Sequence, residues 1–321
     1  MSLLKERLAF KPFEYQWAYD AWFKQQNAHW LHTEINMQKD VKDWNEGLDV
    51  KEKNVIGNIL KGFTQTETIV GDYWSRYVGK WFPVPEIKMM AMTFGAFETI
   101  HSVSYSYLND TLGLTDFEAF LGDEATMNKL GTLMDIDEND TSLENIARSL
   151  ALFSACAEGI QLYSSFAVML SFRLKNMMTG IGQQMIFSVR DESLHSESGC
   201  QLFRTLISEN PTIWNDSLKS SLYEGVDLAI KNEFNYIDKI FELGDLETIT
   251  KDELKNFMYD RGNRKLKELM LKPVYDVDQT KLKNMDWFYI TTSGEQQTDF
   301  FSNRESSYSK PNEDWNADVF M

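Results

Sequence analysis

The sequence predicts an all-α protein built as a helical bundle. Three observations carry this. Punctuation is sparse, with 6 prolines and 17 glycines in 321 residues, which favours long helices over many short strands. Apolar residues recur on helical stripes along most of the chain. Two of the four histidines follow a glutamate by three residues, in Glu98-x-x-His101 and Glu192-x-x-His195. Positions i and i+3 share a helix face, so each pair aims a carboxylate and an imidazole the same way. Each pair also has a glutamate upstream. Glu67 lies 31 residues before Glu98, and Glu158 lies 34 before Glu192. A repeated Glu…Glu-x-x-His is the ligand set of a two-metal site inside a four-helix bundle.

The elements follow in order. Residues 13–29 read as a first helix, with Phe13, Trp17, Trp22 and Phe23 as its apolar positions. The polar stretch Thr33 to Asp49 breaks the period. Residues 50–79 carry a long helix whose stripe includes Leu60, Phe63, Glu67, Val70 and Trp74. Trp81-Phe-Pro-Val-Pro85 ends it, because proline is tolerated at helix starts only. A helix over 86–111 puts Phe94, Glu98, His101 and Tyr105 on one face, and one over 115–134 starts at a Thr115–Glu118 capping box. After an acidic loop, residues 142–172 align Ala155, Glu158, Leu162 and Phe166. Gly180 and Gly182 mark a break. The helix over 183–208 aligns Ser188, Glu192, His195 and Gly199. Asn210-Pro211 closes the bundle, helices over 211–243 and 250–270 follow, and from Met285 the period is lost, which predicts a disordered tail.

Composition excludes several function classes. A net charge of −17 argues against nucleic acid and against an anionic membrane surface. No apolar run is long enough to span a bilayer. The N-terminus has charges where a signal peptide needs apolar residues. Cys156 and Cys200 suggest no disulfide framework, so the cytoplasm is the expected compartment.

The acidic content, 49 Asp and Glu in 321 residues, gives any histidine about a one-in-seven chance of an acid three residues before it. One such motif therefore reads as a solvated salt-bridge face. Two, each with a matched upstream glutamate inside an apolar stripe, do not. Glu67, Glu98, Glu158 and Glu192 together in a core need compensation, and two divalent cations supply it. His101 and His195 then give one nitrogen ligand per metal. An oxygen-rich set with one imidazole each suits iron or manganese. His29 and His32 lie at a helix end without a set of carboxylates and read as structural or exposed.

The runs Glu98-Thr-Ile-His-Ser-Val-Ser-Tyr105 and Arg190-Asp-Glu-Ser-Leu-His195 resemble the radical-generating small (beta) subunit of class I ribonucleotide reductase. The likeness covers nearly the whole chain, including Phe300-Phe301-x-x-Arg304-x-x-x-Tyr308. It implies a ferritin-like helical domain over 1–284 and a flexible tail over 285–321. It implies the metal ligands Glu67, Glu98, His101, Glu158, Glu192 and His195. It also implies a relay of Trp30, Asp191 and His101 from the metal site toward the surface. Tyr308 would pass the oxidising equivalent to a large (alpha) subunit, where ribonucleotides are reduced to deoxyribonucleotides. Val319-Phe320-Met321 would anchor the tail there, and the small subunit would be a homodimer.

One position departs from the common pattern. Most members with a stable tyrosyl radical have Asp at the first ligand position, where this chain has Glu67. Glu there is similar to subgroups that use a manganese-containing cluster itself as the oxidant. One of these has a mixed manganese–iron pair and lacks the radical tyrosine. Another has two manganese ions and keeps the tyrosine unused. Tyr105 is present, so two manganese ions are expected, with two iron ions and a Tyr105 radical as the alternative. The other function classes are a ferritin-like metal-storage protein, which has no use for the tail motif, and a self-contained di-metal oxidase, which would lose Tyr308 and the Trp30–Asp191 relay.

Overall fold

The structure is a computed structural model. It describes residues 2–114, 128 and 140–293, with backbone alone for 64–69. Among the described residues there are helices and no strands, and no helix is long and apolar enough to cross a membrane. The expected helix over 115–134 lies outside the described residues, apart from Asn128.

Helix α1, Gln16–Asn27, buries Ala18, Ala21 and Gln25. Of the apolar positions expected on it, Trp17 and Trp22 pack partly buried against the core, whereas Phe23 is exposed. Small alanines let α1 lie close on its neighbour. Just before it, the buried carboxylate of Glu86 accepts the Glu14 and Tyr15 amides at 2.8 and 3.0 Å and pairs with Arg7. The polar stretch after α1 is not irregular. It holds a 3₁₀ turn His32–Glu34, helix α2 Gln38–Lys42 and a π turn Asp43–Gly47.

Helix α3, Val50–Asp72, opens with the capping box Asp49–Glu52 and runs on into a π-helical stretch, Tyr73–Val78. Helix α4, Pro85–Leu112, starts on its proline and ends at Gly113 in the left-handed region. The two pack at a glycine contact. A Cβ on Gly95 would stand 3.2 Å from the Gly71 carbonyl, and one on Gly71 would stand 3.1 Å from Glu98 Cβ. Small residues there press α3 against the stretch of α4 that bears Glu98.

Helix α5, Leu143–Leu152, is capped by Ser142 and passes into a π-helical segment, Phe153–Gln161, then into α6, Tyr163–Ser171. Helix α7, Thr179–Glu209, begins earlier than expected, because Gly180 and Gly182 lie inside it. They are glycines for space. A Cβ on Gly180 would meet Asp40 Oδ2 at 2.8 Å and Met37 Sδ at 2.9 Å, and one on Gly182 would meet Arg173 Cδ at 2.6 Å. The close approach has a use. Met178, ahead of the helix, supplies no side-chain cap. Instead, Asp40 accepts the Gly180 and Ile181 amides at 2.9 and 2.8 Å, and Asp43 accepts the Met178 amide at 2.9 Å. The first amides of a helix need such acceptors, and here a distant segment provides them.

Helix α8, Asp216–Ile240, is capped by Asn215, and α9, Lys251–Glu268, by a Thr250–Glu253 box. After α10, Gln279–Lys283, residues 286–293 are again helical, with Met285 and Phe288 buried. The loss of period from Met285 in the sequence hides this short helix, whose apolar side chains pack on the bundle. Residues 294–321, with Tyr308 and Val319-Phe320-Met321, lie outside the described residues.

Asp40→Ala is expected to lower the unfolding free energy by about 2 kcal/mol, since two helix-start amides lose a charged acceptor. Chemical denaturation of the two proteins measures it.

Candidate metal centre

The site is built from the middles of α4 and α7 and from the π-helical segment between α5 and α6. Each i, i+3 pair does project to one face. Glu98, His101, Glu158, Glu192 and His195 are all essentially inaccessible to solvent. Glu98, Glu158, Glu192 and His195 each offer one donor atom, and these atoms lie within 4.8 Å of one another. His101 joins them, with Nδ1 at 2.9 Å from Glu98 Oε2 and 3.0 Å from Glu192 Oε1. His195 Nδ1 stands 2.7 Å from Glu98 Oε1, 3.7 Å from Glu158 Oε2 and 3.8 Å from Glu192 Oε2. The Glu67 backbone is part of α3, and its side chain lies outside the described residues.

Several of these atoms approach closely yet do not bond. Among the described residues, Glu98 Oε1, Glu158 Oε2, both Glu192 oxygens and His195 Nδ1 make no aligned hydrogen bond. Buried polar atoms are rarely left so. Short distances without alignment are what donors aimed at a shared third point produce, so the residues present fit divalent cations with oxygen and imidazole ligands.

The electrostatics agree. Burial alone would raise Glu98, but the imidazoles of His195 and His101 hold it far below the usual carboxylate range. Burial and the charges of Glu98 and Glu158 push Glu192 well up. Burial opposes charge on the histidines, but Glu98 outweighs it, raising His101 well above its usual value and His195 to about 9.

A surrounding layer of hydrogen bonds orients these side chains. His101 donates Nε2–H to Asp191 Oδ2 at 3.2 Å, and Trp30 donates Nε1–H to the same oxygen at 2.7 Å. Burial would raise Asp191, but the His101 hydrogen bond, Arg190 and Trp30 hold it low. The expected Trp30–Asp191–His101 juxtaposition is therefore present. Two members were not foreseen. Gln25 donates to Asp191 Oδ1 at 2.9 Å and accepts from His195 Nε2 at 3.2 Å, so one amide ties both histidine arms together. Its signal was a lone polar residue on the alanine face of α1. Trp74 donates Nε1–H to Glu158 Oε1 at 2.5 Å. Both histidines thus turn Nε2 to the acceptors behind them and Nδ1 to the carboxylates, the orientation that leaves Nδ1 for a metal once its proton is lost.

Tyr105 is fully buried, stacked on Phe63 at 4.7 Å and 6.2 Å from the His101 ring. His29 lies exposed against Phe97 and His32 half-buried against Tyr107, as expected for structural histidines.

Residues 7–282 match the family model of the ribonucleotide reductase small chain. The chain belongs to that family. A probable ribonucleoside-diphosphate reductase small subunit of Invertebrate iridescent virus 3 is 34% identical to this small chain over 328 residues, covering 97% of this chain and 86% of the viral one. The ribonucleoside-diphosphate reductase subunit beta of Chlamydia pneumoniae is 26% identical, covering 92% and 88%. The dimanganese(II)-NrdF of Streptococcus sanguinis has the same fold, with a TM-score of 0.76 at 20% identity over 88% of this chain and 99% of that one. As a ribonucleotide reductase small chain, the protein is an oxidoreductase component with a dinuclear metal site in its core, and small chains of this family work with a large subunit. Metal storage and self-contained oxidation are not favoured.

A group whose folded pKa is raised stabilises the fold below its unfolded pKa and ceases to as pH rises through the folded value. For His195 that window runs from 6.5 to about 9. The metal-free small chain should therefore lose stability across that range, by at most about 3 kcal/mol from this group. Because binding needs Nδ1 deprotonated, metal uptake at neutral pH should release protons. Calorimetry across the pH window, and in buffers of different ionisation enthalpy, reads both.

Proposed function

We propose that this small chain generates and holds the one-electron oxidant that starts ribonucleotide reduction in a large subunit. Glu67, Glu98, His101, Glu158, Glu192 and His195 would hold two manganese ions. When bound, the metal pair supplies the oxidising equivalent. The observation that carries the reading is the two-ended role of His101, whose Nδ1 faces Glu98 and Glu192 and whose Nε2 faces Asp191, which in turn holds the Trp30 indole.

The residues of the chain do the rest. Asp191 is held ionised, so it offers an acceptor for the indole proton, 2.7 Å from the indole nitrogen, when Trp30 gives up an electron. Gln25 and Trp74 fix the orientation of His195 and Glu158 and so the aim of their donor atoms. Phe94 covers His195 at 4.2 Å and Phe63 covers Tyr105, which keeps water from both. Tyr308, in the tail, receives the equivalent and passes it to the large subunit, and Val319-Phe320-Met321 anchor the tail there.

The donor set suits manganese or iron. Glu67 in place of Asp favours manganese with the metal pair as oxidant, and then Tyr105 is packing. The curated relatives are ribonucleoside-diphosphate reductases, so a ribonucleoside diphosphate is the proposed substrate. A homodimer in the cytoplasm is the proposed state, in keeping with two buried, unpaired cysteines.

Three results are expected. Element analysis of active protein gives two manganese per chain, and Tyr105→Phe retains most of its reductase activity. Iron with complete loss of activity in Tyr105→Phe would establish the tyrosyl-radical alternative. Trp30→Phe and Tyr308→Phe each lower turnover at least about 100-fold with metal content unchanged. Deleting Val319-Phe320-Met321 weakens binding to the large subunit in a direct binding assay; unchanged affinity removes the anchor.

A further inference from the structure

Helix α9 places a buried arginine against the back of the metal centre. Arg261 is 9% exposed. Its Nη2 and Nε both donate to the Gly159 carbonyl, at 2.8 and 3.3 Å. Its guanidinium carbon lies 3.6 Å from the centroid of the Tyr163 ring, much closer than the 5.4 Å of Lys11 over Phe13 on the surface. The Tyr163 hydroxyl is 2.7 Å from Ser193 Oγ. Gly159 follows Glu158 in the chain, and Ser193 follows Glu192.

One guanidinium thus touches the peptide beside one proposed ligand. Through a single phenol it reaches the residue beside another. Among the described residues its partners are a carbonyl and a ring and no carboxylate pairs with it. The carbonyl belongs to a π-helical segment. There the i→i+5 ladder is wide and its groups are less well held by their own helix than in a regular α-helix, and such segments recur at functional sites. Arginine suits this place because its planar fork bonds one carbonyl with two N–H groups while its face stacks on an aromatic ring.

We infer that Arg261 is a positioning residue that sets the relative placement of Glu158 and Glu192, by clamping the Gly159 carbonyl and, through Tyr163, Ser193. The inference rests on the ligand assignment above. It concerns the geometry of the donor atoms before any reaction, so metal binding reads it directly.

The test is titration of Mn(II) into the metal-free full chain, with free Mn(II) followed by electron paramagnetic resonance and thermal midpoints recorded alongside. Wild type takes up two ions per chain. Arg261→Met and Tyr163→Phe weaken at least one site by about 10–100-fold and change the spectrum of the bound pair. Arg261→Lys keeps the charge and not the fork, and restores part of the affinity. Arg264→Met, on the same helix but half-exposed and paired with Asp260, leaves both sites unchanged. A folded Arg261→Met chain that binds two ions with wild-type affinity overturns the inference. Should that variant not fold, unchanged affinity in both Arg261→Lys and Tyr163→Phe overturns it equally. A wild-type chain that binds no pair of ions removes the ligand assignment and the inference together.

Discussion

The structure depends on one electrostatic constraint, a buried carboxylate faced by two imidazoles. Glu98 receives His195 on one oxygen and His101 on the other, deep in an apolar bundle. Charges in a dry interior must be cancelled locally or they destabilise the fold strongly. Glu158 and Glu192 crowd the same space, and their charges add to the problem that the imidazoles only partly relieve. A pair of divalent cations relieves it fully. The bundle is arranged to hold five side chains from three separate stretches of chain at that point, with α3 pressed in by the Gly71–Gly95 contact.

The surrounding layer gives each donor one orientation. Asp191 accepts from Trp30, His101 and Gln25, and Gln25 reaches on to His195. An amide has one donor end and one acceptor end, so Gln25 can serve both partners in only one of its two orientations. The two histidine arms are therefore not independent. A change at Gln25 or Asp191 would be felt by both, and effects of substitutions in this network should not add.

Local spacing made the donor cluster legible in the sequence. Glu98 and His101, like Glu192 and His195, are brought together by one helical turn, which needs no knowledge of the rest of the fold. The upstream Glu158 followed from its apolar stripe. The parts that stayed hidden depend on tertiary partners. Gly180 and Gly182 looked like a break because their reason, the approach of Asp40 and Arg173, comes from elsewhere in the chain. Phe23 counted among the apolar positions of the first helix, yet it is exposed, because the close fit of α1 is made by its alanines. Met285 and Phe288 looked like the start of a tail because two apolar side chains in a polar stretch make no period. Trp30 and Asp191 were reached by resemblance, since no spacing links residues 161 positions apart.

The capping of α7 by Asp40 and Asp43 has a consequence for how the chain comes together. These acceptors are synthesised well over a hundred residues before the amides they serve. While the ribosome is still building α4 and α5, these carboxylates lack the amides they will serve, although Asp43 already has Lys39 beside it, at 2.6 Å. The first turn of α7 cannot be completed by its own neighbours. The amides that open the helix bearing Glu192 and His195 therefore exchange water for these carboxylates only once the segment around α2 lies against it.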